Sequence, residues 1–577
     1  MLEVLDRDFN ARIARWTEGD LSLSTPEVFF IDTDSHPAPG FASFILLESK
    51  EGLTIRAGQD GVGPIFRGGA EFPLSHLKRM GESHLSPGKS TLTLRSPPAL
   101  IPKTLEMGEA SIVRLDGAFE LRRDAGGLVG SVVRLREAVG HSSLIYAPGI
   151  MEVRNLALLC YLGVDLFDSS LIILLSAMGK LLLPDCTIDA ADGDWMVEEP
   201  TPGNVLDFNL RSVWDELRQV RWAISRRKLR EMVETRISSD PWAVSALRLL
   251  DLEHYAHQER TTPVIGGRMS CNTKQSLHRP DVERWRRRIL DRYGPPEHKR
   301  VLLLLPCSAR KPYSTSRTHR TFRKVIDSVR RSHMVHEVIV TSPLGVVPRE
   351  VELFYPASQY DIPVTGHWDC FERAMILELL QHMVSFRYDE IVCHLDDSFV
   401  IEGLECTRTS RDRPTSTESL MELRNELDRI CGDLEPVSRA EDRLRTMESV
   451  ARFQFGPGGE HLLDGAEIRG RYPRPKILEN GGQLGMLSPE RGMISLTIDG
   501  ARKLSEKGIN LVLIGDFDLK GNLFAVGVEE ADPNIRKGDE AVVIRDGEVV
   551  GVGMASMSGS EMIELSRGEA VRIRHTA

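Results

Sequence analysis

The chain has 577 residues, 41% hydrophobic and 27% charged, with a formal net charge of −11. At roughly 100–200 residues per domain this length predicts about three to five domains, and the ordinary composition excludes a collagen-like, mucin-like or wholly disordered chain. The negative balance argues against a protein that coats nucleic acid indiscriminately. The longest apolar stretch, 171–183, is interrupted by Lys180 and is too short to span a bilayer, so no membrane partner is expected. Charges run through the first sixteen residues, so no secretory signal is expected. Eight scattered cysteines without a CxxC pair point to reduced thiols, a cytoplasmic location and no structural zinc ribbon.

In chain order, residues 1–262 mix short apolar runs at 28–33, 43–49 and 143–149 with helical stretches. Residues 153–170 read as a helix, a turn and a short strand. The spacing of Val213, Leu217, Val220, Ile224, Leu229 and Val233 predicts one helix over 214–236. Strands followed by helices predict an α/β barrel or layered sheet. Residues 263–432 hold continuous apolar runs at 301–306, 337–342 and 390–395, separated by helical stretches at 321–332, 372–386 and 417–430. That alternation predicts an α/β domain with a buried parallel sheet. Residues 433–493 are polar and rich in Gly and Pro, and read as a small α+β connector. Residues 494–577 read as a compact β domain, preceded by a basic helix over 499–507.

Charge is uneven. Residues 310–331 carry eight Lys/Arg and one acid, Asp327. A basic middle in an acidic chain predicts local phosphate contact. The densest polar cluster lies there, directly after the first apolar run of its domain: Pro306-Cys307-Ser308-Ala309-Arg310-Lys311-Pro312-Tyr313-Ser314-Thr315-Ser316-Arg317-Thr318-His319. The carboxyl ends of strands in open α/β sheets are where ligands bind. The cations around Cys307 are expected to favour its thiolate, a good nucleophile toward a polarised carbon. Lys311 reads as an electrostatic clamp or an amine nucleophile, and His319 as a proton shuttle near neutral pH. The bland alternative is a buried cysteine and a Ser/Thr-rich turn.

A second cluster, Tyr360-Asp361-Ile362-Pro363-Val364-Thr365-Gly366-His367-Trp368, follows the next apolar run and is expected at the same sheet edge, where Asp361 would orient a ligand's N–H groups. The His394-Leu395-Asp396-Asp397 stretch lacks alternating metal-ligand spacing and reads as a polar strand end.

The 306–319 stretch closely resembles a signature of archaeosine synthase, a tRNA-modifying paralogue of tRNA-guanine transglycosylase. The family pattern is Pro-Cys-Ser-x-x-Lys-Pro-Tyr-Ser-x-Ser-x-Ser-His, and this chain departs from it only at Thr318, which keeps a hydroxyl. The 360–368 loop looks like the same family. Leu162-Gly163-Val164-Asp165-Leu166-Phe167-Asp168-Ser169 resembles the transglycosylase barrel segment that carries the nucleophilic Asp, and puts Asp168 at that position. The transglycosylase base-recognition segment and its zinc motif are absent; Asp116-Gly117-Ala118-Phe119-Glu120 is the nearest string. Residues 498–501 through 550–555 resemble a PUA domain, an RNA-binding module.

The resemblance implies a degenerate TIM-barrel-like transglycosylase domain, an α/β parallel-sheet domain, a connector and a C-terminal β-barrel PUA domain. It implies a tRNA substrate carrying 7-cyano-7-deazaguanine (preQ0) in its D-loop, whose nitrile takes up an amine to give an amidine. The donor is left open among lysine, glutamine and ammonia; a lysine adduct would need a radical-SAM partner enzyme to cleave it. No cofactor or metal is implied. Cys307, Lys311, His319 and Ser308 are the catalytic candidates, with Cys307 attacking the nitrile to form a thioimidate. The alternative makes Lys311 the essential group. Tyr313, Ser314, Ser316, Asp361, Thr365 and Asp168 are the substrate-binding candidates. Arg320, Arg323, Lys324, Arg502, Lys503, Lys507, Arg572 and Arg574 are the phosphate-contact candidates. Analogy with transglycosylases suggests a homodimer. Two competing readings are a non-catalytic tRNA-binding scaffold and an active base-exchanging transglycosylase.

Overall fold

The structure, a computed structural model, describes the chain apart from residues 20, 35, 50–51, 58–60, 67–90, 96–97, 104–110, 194–195, 198, 200, 364–367, 397–403 and 411–412. It divides into two compact units. The first comprises Met1–Thr262 with Phe524–Val526 and Ser560–Glu569, and the second comprises the remaining segments.

The first unit contains an eight-stranded sheet in the order Gly61–Phe66, Gly52–Ala57, Phe44–Ser49, Glu27–Ile31, Leu166–Asp168, Leu144–Tyr146, Ile112–Asp116, Thr91–Arg95. From Thr91–Arg95 to Leu166–Asp168 the neighbours follow chain order and are parallel. The next neighbour is Glu27–Ile31, where the chain order starts again. The parallel strands therefore follow chain order when read as a circle. Two features depart from the expected TIM-like barrel. Gly52–Ala57 and Gly61–Phe66 are antiparallel insertions, and among the described residues no ladder joins the two ends of the sheet. The helix expected over 214–236 is two helices, Pro202–Arg226 and Leu229–Arg236. Arg227 takes a left-handed conformation (φ 56°) between them, so the apolar stripe resumes after a break that periodicity does not reveal.

The second unit is built around a five-stranded sheet in the order Gly345–Pro348, Val335–Thr341, Val301–Pro306, Glu390–Cys393, Thr407–Arg408. Its four consecutive strands from Val335–Thr341 are parallel, and Gly345–Pro348 is an antiparallel edge. Alternation along the central strand explains its unbroken leucine run. Leu302 and Leu304 enter a core with Trp285, Ile376 and Leu380, while Val301, Leu303 and Leu305 enter another with Phe322, Ile326, Leu423 and Leu427. The helices Pro280–Asp291 and Cys370–Val384 cover one face; Arg317–Ser328 and Thr417–Gly432 cover the other. Each fully buried leucine contributes about 1.5–3 kcal/mol relative to exposure, and a strand buried on both faces has no polar side to show.

The connector is more ordered than its composition predicts. Arg439–Phe455 is a seventeen-residue helix, followed by an antiparallel sheet of Glu467–Arg469, Lys476–Glu479, Gly482–Ser488 and Met493–Leu496. The N-cap of that helix is legible as Ser438-x-x-Glu441, and the Ser438 side chain accepts from the Glu441 N–H at 3.1 Å. In the C-terminal sheet, Glu569–Thr576, Glu548–Ala555, Glu540–Arg545, Leu511–Ile514 and Val528–Ala531 lie in that order. Gly553 is required there: a Cβ on it would come within 2.1 Å of the Arg572 carbonyl oxygen.

Candidate active site

The central strand ends at Pro306, and the chain leaves the sheet as the loop 307–312 before a short turn, Tyr313–Thr315, and the helix Arg317–Ser328. Ser316 caps that helix by accepting from the His319 N–H at 3.1 Å. The next parallel strand ends at Thr341, and Tyr360–Asp361 forms a short parallel pair with Met269–Ser270. The carboxyl ends of neighbouring strands therefore supply the residues that gather around Cys307, as the sheet geometry requires.

Lys311 is the centre of this group. Its ammonium nitrogen lies 4.0 Å from the centroid of the Tyr360 ring and 5.9 Å from that of Tyr313. An aromatic face attracts a cation and replaces part of its hydration. The Tyr360 and Tyr313 hydroxyls are hydrogen-bonded to each other, and the Tyr360 hydroxyl is also paired with Thr341 Oγ1 at 2.6 Å. Burial lowers the Lys311 pKa, against the opposing pull of Cys307 and Asp361. Cys307 is partly buried at the strand end. Burial raises its pKa, although the Thr341 hydroxyl and the Lys311 charge both act to lower it. This corrects the expectation from the basic loop: Arg310 and Arg317 are exposed to solvent, and desolvation outweighs the one cation close to the sulfur. Asp361 stands at the outer side of the cluster in an ion pair with exposed Arg268, which holds its carboxyl below the usual range.

His319 is corrected as well. It is buried at 1% exposure between the Tyr313 and Phe322 rings. Its Nδ1 accepts from Arg349 Nη2 at 2.8 Å. Burial first, and then the Arg349 charge, bring its pKa down to about 3. A neutral, enclosed imidazole that accepts a bond from a guanidinium does not shuttle protons near neutral pH. It belongs to a buried charge frame. Arg349 also donates to Glu337 (3.0 Å) and Glu352 (2.9 Å). Glu352 accepts from the Ser314 N–H at 3.0 Å. Glu337 additionally pairs with Arg323, and its carboxyl is brought down to about 2, its two arginines overcoming the burial that opposes this.

The other expected residues fall in several places. Tyr313 is fully buried and Ser316 is a helix cap, so both build the loop and neither offers a free surface to substrate. Ser308 donates to the Arg310 carbonyl at 3.1 Å and shapes the turn. Thr365 and Asp397 lie outside the described residues. In the first unit, Asp168 is fully buried and accepts from Tyr146 Oη (2.7 Å), the Gly149 N–H (3.2 Å), the Ser170 N–H (2.9 Å) and the Ser170 hydroxyl. Those four bonds take up the acceptor positions of its carboxylate in this arrangement. Among the basic candidates, Arg323 and Arg574 hold the buried carboxylates Glu337 and Glu540, Arg502 pairs with Asp499 at 2.7 Å, and Lys503 with Glu479 at 2.7 Å. Arg320, Lys324, Lys507 and Arg572 are exposed. Among the described residues no three His, Cys, Asp or Glu side chains converge as a metal site, and no helix is long and apolar enough to cross a membrane.

Sequence reasoning missed Thr341, Arg268, Glu352 and the ring of Tyr360. Thr341 closes a strand and was legible as such a position. The others reach the loop from roughly 40 to 50 residues away, and only the fold brings them in.

A family model described as a domain of unknown function matches residues 282–427, and a PUA domain model matches residues 517–577. The chain is 34% identical over 505 residues to the archaeosine synthase subunit alpha of Methanosarcina acetivorans, covering 82% of this chain and 80% of that one. It is 36% identical over 448 residues to the same-named protein of Thermococcus kodakarensis, covering 74% and 75%. It is 27% identical over 512 residues to a tRNA-guanine(15) transglycosylase of Methanobrevibacter smithii, covering 77% and 71%.

Proposed function

The chain belongs to the archaeosine synthase family, and from that premise we propose that it is a tRNA-modifying enzyme that forms archaeosine by adding an amine across the nitrile of preQ0 in tRNA. The observation that carries the chemistry is the juxtaposition of Cys307 and Lys311 at the carboxyl end of the central strand, with Lys311 held over the Tyr360 ring. A raised thiol pKa beside a lowered ammonium pKa favours the uncharged pair, a thiol next to a free amine that can act as its base.

In this reading Lys311 in its free-amine form, which burial favours, takes the Cys307 proton, and the thiolate attacks the nitrile carbon. The C–S bond forms, one C–N π bond breaks, and the nitrogen takes the proton back from Lys311 to give a thioimidate. The donor amine then adds to the same carbon. The C–S bond breaks, the leaving thiolate takes the proton shed by the incoming nitrogen and so restores the thiol, and an amidine remains on the base. Lys311 replaces His319 as the proton carrier, because His319 is neutral and buried. The family relation also brings tRNA as the substrate, and the PUA domain supports RNA binding. Base exchange of the transglycosylase kind has no support from the saturated Asp168.

The test is mass spectrometry of nucleosides from preQ0-containing tRNA after incubation with lysine, glutamine or ammonium in separate reactions. A mass gain in one of them is expected, and its size identifies the donor. No gain in any, with tRNA still bound, would favour the scaffold reading or an obligatory partner such as a radical-SAM enzyme.

A further inference from the structure

The connector contains a loop that the charge pattern of the chain alone does not explain. Between Ile468 and Ile477 stand Arg469, Arg471, Arg474 and Lys476, with no acidic residue. The loop is a tight reversal. The Arg474 N–H donates to the Arg471 carbonyl at 2.9 Å, and the Leu487 N–H to the Pro475 carbonyl at 3.1 Å. Gly470 turns the chain at φ 90°, where a side chain would be strained and its Cβ would press on the Arg474 carbonyl at 3.2 Å.

Tyr472 is at its tip. The side chain has two distinct ends. Its hydroxyl donates to Glu352 Oε1 at 2.9 Å and interacts with the Ser314 side chain. Glu352 is the fully buried carboxylate that also accepts from the Ser314 N–H and Arg349. The residue as a whole is 47% exposed. The side chain is thus half in water while its hydroxyl is pinned to the frame of the Cys307 loop, a fixed aromatic flanked by cations. Arg471 and Lys476 are exposed and carry no ion pair among the described residues. Arg469 and Arg474 pair only with the surface carboxylates Glu467 and Glu490, and surface pairs of this kind are worth little.

We propose that the 470–476 loop is an RNA-binding element in which the Tyr472 ring stacks on an unpaired base of the substrate tRNA while Arg471 and Lys476 contact flanking phosphates. The inference rests on the proposed function, which supplies the RNA. A cationic loop around an exposed ring fits single-stranded nucleic acid, where each base offers a π-face and each nucleotide a charge. The Glu352 tether gives the platform a fixed distance from the Cys307 loop, so the stacked base would be held close to the nitrile-bearing nucleotide.

The experiment measures tRNA binding and steady-state turnover for the full-length chain and for Tyr472→Ala, Tyr472→Phe and Arg471→Ala. Tyr472→Ala is expected to raise the tRNA Kd about tenfold and to leave the slope of log K against log salt unchanged. Tyr472→Phe keeps the ring and is expected to stay within about twofold of the parent in Kd. Arg471→Ala is expected to weaken binding and to reduce the salt slope by about one phosphate's worth, roughly 0.7–0.9. Wild-type affinity for a folded Tyr472→Ala protein, or equal losses in Tyr472→Phe and Tyr472→Ala, would overturn the stacking assignment. Binding is read without any amine. A parent protein that binds tRNA through Tyr472 and never modifies it would therefore refute the proposed function and leave this inference standing.

Discussion

Asp168 and Cys307 occupy equivalent places in different sheets. Each follows or ends a parallel strand at its carboxyl end, where α/β folds build ligand sites. Their surroundings are opposite. Asp168 is closed in by four donors that use up its oxygens. Cys307 has one hydroxyl neighbour and the Lys311 amine, which rests on the Tyr360 ring. Position in a fold marks where chemistry can occur; spare valence at that position decides whether it does. The parallel strands of the sheet around Asp168 lie in circular chain order, and its carboxylate is a structural acceptor. The sheet around Cys307 holds a thiol beside an amine, with the neighbouring phenols bonded to each other and to Thr341.

Substitutions at the two places should separate them sharply. Cys307→Ala should reduce kcat/KM on preQ0-tRNA on the order of a thousandfold or more and leave the melting temperature near that of the parent. Turnover close to normal would remove the thioimidate route. Lys311→Arg keeps the charge, but its guanidinium cannot give up a proton at neutral pH. Activity should fall by about 10²–10⁴ with tRNA affinity unchanged; a loss confined to affinity would make Lys311 a phosphate clamp. Asp168→Asn should cost about 1–3 kcal/mol of stability through the disturbed Tyr146 and Ser170 bonds. It should leave kcat/KM within twofold where the protein remains folded, and a large specific loss of activity would restore a chemical role for this residue.

Acid should act on the frame beneath the Cys307 loop before it acts on the thiol. His319 has a folded pKa brought down to about 3 from an ordinary 6.5, and Glu337 one brought down to about 2 from 4.5. For both groups the unfolded chain binds more protons in the intervening range. The stability they contribute is therefore complete above the unfolded values and is lost as pH falls, between about 6.5 and 3 for His319 and between about 4.5 and 2 for Glu337. Urea unfolding across this range should show a steady loss, and Glu337→Gln should flatten its lower part. Unchanged curvature in that variant would remove Glu337 from the frame.

The α/β sheet was readable because its strands are buried on both faces and so appear as unbroken apolar runs. The helix Arg439–Phe455 was not, since its apolar positions Met447, Val450 and Phe453 are diluted by charges and only its Ser438-x-x-Glu441 cap marks its start. The reactive loop was visible as a local cluster of polar residues. Its electrostatics were not. Counting nearby arginines suggested an acidic thiol, whereas in the fold those arginines face water and burial dominates. His319 likewise looks reactive in a string and is enclosed in space. Arg349, Glu352 and Tyr472 act on the loop from distant segments, and no local pattern announces them.

The most direct test of the Cys307 assignment is peptide mapping by mass spectrometry of enzyme mixed with preQ0-tRNA in the absence of any amine, followed by nuclease digestion. The account predicts a nucleotide adduct on the peptide carrying Cys307, lost in Cys307→Ala and discharged when the amine donor is added. An adduct on Lys311, or one that survives Cys307→Ala, would contradict it.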